Sequence, residues 1–175
     1  MKYSDFHADL EYSLEERENE MFDAFYYRVF PGLKLIEFAE DMETQRKGID
    51  KILHFESGRQ VTIDEKKRRE DYGDILLELW SVWEKRKRGW LHTCQCDYIV
   101  YAVMPSRKVY LLPSILLKRA WLTNRLLWKP PKYREVVAHN PGYTTKNIAI
   151  PTQELLAAIT NEMTQTFMDA RCSPR

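Results

Sequence analysis

Asp50, Asp64 and Lys66 are the residues whose types and spacing suit chemistry best. Two acids on neighbouring strands, with a lysine two positions after the second, can serve metal-dependent phosphodiester cleavage. The carboxylates hold a divalent cation, and the lysine supports the attacking water or the developing charge. The acids lie in Gly48-Ile49-Asp50 and Asp64-Glu65-Lys66-Lys67, separated by the turn residues Glu56-Ser57-Gly58-Arg59.

Register decides whether they meet. Alternate strand residues share a face. Ile49, Leu53 and Phe55 are expected on one face of a first arm, and Asp50, Ile52 and His54 on the other. Val61 and Ile63 share one face of a second arm; Thr62, Asp64 and Lys66 share the other. The apolar faces should coincide, because a slip of one residue exposes one set. A three-residue loop, Glu56–Gly58 with Gly58 left-handed, then sets Asp50 opposite Asp64. The pair Glu65/Lys67 has the same spacing but falls on the apolar face, so Asp64 and Lys66 are the preferred frame. Glu65 sits where an apolar residue is expected; either burial stops short of it or it joins the metal site.

These segments, with Gln45-Arg46-Lys47 before the first, resemble small phage or bacterial members of the PD-(D/E)XK nuclease superfamily. The resemblance spans roughly residues 13–104 and rests on four or five positions. It implies a restriction-endonuclease-like fold and a Mg²⁺- or Mn²⁺-dependent nuclease acting on nucleic acid, with DNA the expected substrate and an endonuclease the expected type. Asp50 and Asp64 would ligate the metal with Glu65 as a further candidate, and Lys66 would be catalytic. Glu18 falls within the apolar stripe of the first helix and matches an outer glutamate of that site; the alternative is a side chain passing the stripe's edge. Double-strand cleavage would call for two sites, hence a possible homodimer. The rival reading is an inactive nuclease fold that binds nucleic acid or protein.

The elements needed to position these residues follow from pattern. Ser13 to Glu16 fits a capping box opening a helix that Pro31-Gly32 ends. Leu33 to Ala39 reads as a strand and Asp41 to Lys47 as a polar turn, before the hairpin of about 48–55 and 60–67. Ile75 to Trp83 fits helix or strand; as a strand it would bring Glu78 to the site, with Lys67 a further candidate there. Cys96 to Met104, apolar on both faces, suits an inner strand, with Arg107 to Leu111 its edge partner. Pro113 to Trp128 is expected as an amphipathic helix using Ile115, Leu116, Ala120 and Leu127. Two short strands flank Asn140-Pro141-Gly142, and a last helix spans about 152–168. The class expected is α/β or α+β: one domain over 1–175, its core at about 13–127, with a central mixed sheet flanked by helices.

Net charge is +1, but residues 1–23 carry −6 and the rest +7. Arg68-Arg69 and Lys85-Arg86-Lys87-Arg88 are candidates for phosphate contact, and Trp90 for base stacking. Three cysteines, two of them Cys94 and Cys96, make no disulfide framework and suit a reducing cytoplasm. His92, Cys94 and Cys96 have no second knuckle to complete zinc, so a buried cysteine pair entering a strand is expected. No stretch is apolar enough for a membrane span, and the polar, acidic first ten residues do not read as a signal peptide.

Overall fold

A computed structural model describes residues 20–169. It is a mixed α/β arrangement built on two sheets. Glu18 and the capping box at Ser13 lie outside the described residues.

Helix α1 (Glu20–Val29) runs into β1 (Leu33–Phe38). Phe22, Phe25 and Tyr26 recur at helical spacing and are buried. Asp41 to Lys47 is not a plain turn. It folds as a short helix, α2 (Met42–Arg46), because the Asp41 carboxylate accepts from the Thr44 amide at 2.8 Å and caps it. The hairpin follows as β2 (Lys51–Phe55) and β3 (Gln60–Arg68). The Phe55 amide donates to the Arg59 carbonyl at 3.0 Å, leaving the three-residue loop Glu56–Gly58 with Gly58 at φ +81°.

The ambiguous stretch is a strand, β4 (Asp74–Val82). A tight hairpin leads to β5 (Lys87–Arg88) and a short helix, α3 (Trp90–Thr93). The inner strand β6 (Tyr98–Val103) and edge strand β7 (Lys108–Pro113) come next. They precede α4 (Ser114–Asn124), β8 (Arg134–Asn140), β9 (Tyr143–Pro151) and α5 (Thr152–Asp169).

The first sheet has order β1-β2-β3-β6-β7, antiparallel except for the parallel pair β3/β6. Asp97 secures that pair: its carboxylate accepts from the Thr62 amide (2.8 Å) and hydroxyl (2.9 Å), and its amide donates back to Thr62. β6 is apolar on both faces because both are covered. Val100 and Ala102 pack with Leu53, Val61 and Ile63 under α1. Ile99, Tyr101 and Val103 meet α4, α5 and the second sheet.

The second sheet departs from the single sheet expected. Its order is β5-β4-β9-β8, all antiparallel, with Leu77 opposite Ile148 and Ile75 opposite Ile150. The pattern cannot reveal this, because Ile75 and Leu77 would be buried in either sheet. Helix α4 stops at Asn124, short of the expected Trp128; Ile115 on it and Leu127 beyond it, both expected on the buried face, are 72% and 66% exposed, and Leu117, Ala120 and Trp121 fill the core instead. Among the described residues no helix is long and apolar enough to cross a membrane.

Candidate active site

Lys51 lies opposite Ile63 and Leu53 opposite Val61, so the register continues to Asp50 opposite Asp64. Asp50 sits one residue before β2. Its amide donates to the Ile63 carbonyl at 2.8 Å, and its carbonyl accepts from the Ala39 amide at 2.9 Å. Both ends of the residue are thereby fixed between β1 and β3. Its carboxylate Oδ2 accepts from the Glu65 amide at 2.7 Å. Ile49 does not share the Leu53 face; it joins the larger core beyond the other side of the sheet, because β2 begins only at Lys51.

Asp64 is 1% exposed. Its Oδ1 accepts from Lys66 Nζ, and its Oδ2 is buried with no hydrogen-bond partner. Burial pushes the Asp64 carboxyl up to about 7; Lys66 pulls it down and Asp50 adds to the rise. Burial works against the Lys66 ammonium, but Asp64 and Asp50 outweigh it and hold the amine above its usual range. Glu78 lies in the field of Lys66 and accepts from the Trp90 amide at 3.1 Å. Its burial holds the carboxyl above its usual value. Gly48, at φ +69°, closes the site: a Cβ there would come 3.1 Å from Cys94 Cβ and 3.4 Å from Asp64 Oδ2.

Glu65 and Lys67 point the other way, as neighbouring strand residues must. Glu65 accepts from the Tyr26 hydroxyl at 2.6 Å and pairs with Lys51 at 3.0 Å, so its carboxylate does not join Asp64. Lys67 Nζ lies over the Phe22 ring. Lys51, 1% exposed, is a residue that the face-matching passes over. It falls between Ile49 and Leu53 at alternate spacing, and that position alone marks a lysine needing partners. It has them in Glu65, in Asp23 at 3.0 Å, and in the Phe22, Tyr26 and Phe38 rings.

Two expected nucleic-acid contacts, one to phosphate and one to a base, change role. Arg68 is buried, paired with Asp74 at 2.6 Å, and ties β3 to the second sheet. Trp90 is half-buried and packs against the core, so it serves packing as well as any contact to a base. Arg69 and Lys85 to Arg88 are exposed. Cys94 and Cys96 are free and buried. The Cys96 thiol and Lys118 favour the Cys94 thiolate, and Cys94 and burial push Cys96 up.

Among the described residues no three His, Cys, Asp or Glu side chains form a metal-holding cluster. A hard cation does not require three protein ligands: Mg²⁺ binds through one or two carboxylates and keeps several waters. Asp50 and Asp64 supply two hard oxygen donors, and the orphaned Asp64 Oδ2 is a buried acceptor suited to such a cation. The residues therefore fit the group. Comparison with protein-family models, with curated proteins and with solved structures finds no match.

A buried carboxylate without a full complement of partners should cost stability. The raised carboxyl means that the native state holds the Asp64 proton more tightly than the unfolded chain does, whose value is 3.8. Native stability is therefore lost as pH rises from about 4 to about 7. Asp64→Asn removes that loss. In urea denaturation with EDTA present, it should gain about 2–4 kcal/mol over wild type at pH 8 and nothing below pH 4. A pH-independent difference would contradict the assignment.

Proposed function

We propose that this chain is a metal-dependent nuclease with a restriction-endonuclease-like fold, acting on DNA. One observation carries the reading: Asp50 and Asp64 meet across neighbouring strands beside Lys66, and Asp64 has a buried oxygen left without a partner. The mixed sheet, covered by α1 on one face and by α4 and α5 on the other, supports the fold.

In this reading Asp50 and Asp64 would hold Mg²⁺ or Mn²⁺, with Glu78 at the margin. When bound, such a cation would supply Lewis acidity to the phosphate and make water more acidic. Lys66 stays protonated, so it does not take a proton from water; it places a fixed positive charge against the phosphate as negative charge grows. Water attacks phosphorus and gives up its proton to solvent, one P–O ester bond breaks, and the departing oxygen takes a proton from solvent. The Glu65 amide orients Asp50, and burial keeps Asp64 from turning to solvent. The test is cleavage of plasmid and of single-stranded DNA with Mg²⁺ or Mn²⁺. Products that appear with either ion and vanish with EDTA are expected; no cleavage of either substrate would leave the binding-module reading in its place.

A further inference from the structure

The tip of the β4–β5 hairpin carries a second arrangement that the catalytic reading does not use. Arg88 and Lys146 lie opposite Trp80 on the two strands beside it, which sets the three side chains in a row across β5, β4 and β9. The Arg88 guanidinium stands 4.4 Å from the Trp80 centroid. Arg86 stands 3.9 Å from the Trp83 centroid, and Lys146 Nζ 3.8 Å. The two indoles meet edge to face at 5.4 Å. The tip is anchored: the Trp83 amide donates to the Thr144 carbonyl at 2.8 Å and Thr145 Oγ1 to the Ser81 carbonyl.

Arg86 is held at φ +53°, a left-handed conformation that non-glycine residues seldom keep without reason. Glu84 is bonded to the Thr144 amide at 2.9 Å, and Lys87 lies in the field of Glu78. Among the described residues, Lys85, Arg86, Lys87 and Arg88 form no ion pair; Lys146 meets Glu135 only at 4.0 Å. A guanidinium held over an indole keeps N–H groups free for a two-pronged contact to phosphate, with little rotamer entropy left to lose. The same stacking engages the indole faces, so they are not open platforms for bases.

We infer that this hairpin is a preorganised phosphate-binding edge that takes the sugar–phosphate backbone of nucleic acid and neither reads nor stacks its bases. The aromatic rings hold the cations, and the cations hold the ligand. The inference rests on the nuclease reading only in taking that nucleic acid to be the substrate.

The experiment is fluorescence anisotropy of a labelled DNA duplex across a salt series in EDTA, where nothing is cleaved. Each phosphate contact adds about 0.9 to the steepness of log affinity against log salt. The triple variant Arg86→Gln, Arg88→Gln, Lys146→Gln should flatten the slope by about 2–3. Should the triple variant not fold, as judged by circular dichroism, Arg86→Gln alone at the exposed tip should flatten it by about 0.9. A labelled abasic strand should bind as well as oligothymidine. An unchanged slope would make the tip a purely structural clamp, and a tenfold loss on the abasic strand would make it a stacking platform; either result overturns the inference. A flattened slope in a protein that cleaves nothing would sink the nuclease reading and leave the hairpin standing. Cleavage with an unchanged slope would do the reverse.

Discussion

Asp50→Ala, Asp64→Asn and Lys66→Ala should each lower metal-dependent DNA cleavage by at least about a hundredfold, the usual cost of losing a charge-stabilising group. The three losses come by different routes. Asp50→Ala removes a carboxylate that the Glu65 amide holds in place. Asp64→Asn keeps the shape and removes the charge, so it should lose cleavage while gaining stability, a pairing expected where a site stores electrostatic cost. Lys66→Ala removes the cation on Asp64 Oδ1 and leaves two carboxylates facing each other. Lys67→Ala is the control for frame. Lys67 lies over Phe22 on the α1 side and should retain cleavage within a few-fold. If Lys67→Ala were as damaging as Lys66→Ala, the working face would be the one under α1. The measurement is initial rate on plasmid DNA with Mn²⁺ in excess.

The second large effect concerns Lys51. Its ammonium is the buried partner of Glu65, which is 9% exposed, and of Asp23. Lys51→Met fills similar volume but leaves Glu65 with the Tyr26 hydroxyl alone. Breaking a buried pair by removing one partner costs about 3–5 kcal/mol, because the remaining charge is stranded. Urea denaturation near neutral pH should show that loss. Lys51→Met with Glu65→Gln should recover much of it, since no stranded charge remains. A loss under about 1 kcal/mol in the single variant would mean that Glu65 reaches water when Lys51 is gone.

The hairpin and its register were legible in the sequence because alternation fixes a face and a glycine at φ +81° fixes the loop. That reasoning brings Asp50 opposite Asp64 with Lys66 two residues on. It does not extend to Ile49, because alternation holds only within a strand and β2 starts two residues later. Lys51 was visible in the pattern as a charge on an apolar face, yet its partners come from α1, and no local rule names them. The second sheet was not legible. Its strands β4 and β9 are 60 or more residues apart in sequence, and a short apolar run such as Ile75 to Leu79 suits helix and strand alike. Arg68 could not be told from its neighbour Arg69, since Arg68 is buried with a partner, Asp74, that lies across a turn. The Trp80 and Trp83 stacks were equally hidden, because Lys146 arrives from β9.

Isothermal titration calorimetry of Mn²⁺ and Mg²⁺ into wild type and into Asp50→Ala, at pH 8 and without nucleic acid, tests the central claim most directly. It asks whether Asp50 and Asp64 together hold a divalent cation, independent of any substrate. The account predicts saturable uptake by wild type that Asp50→Ala loses, with Lys67→Ala binding as wild type does. Equal uptake by wild type and Asp50→Ala, or none by wild type at millimolar metal, would contradict it.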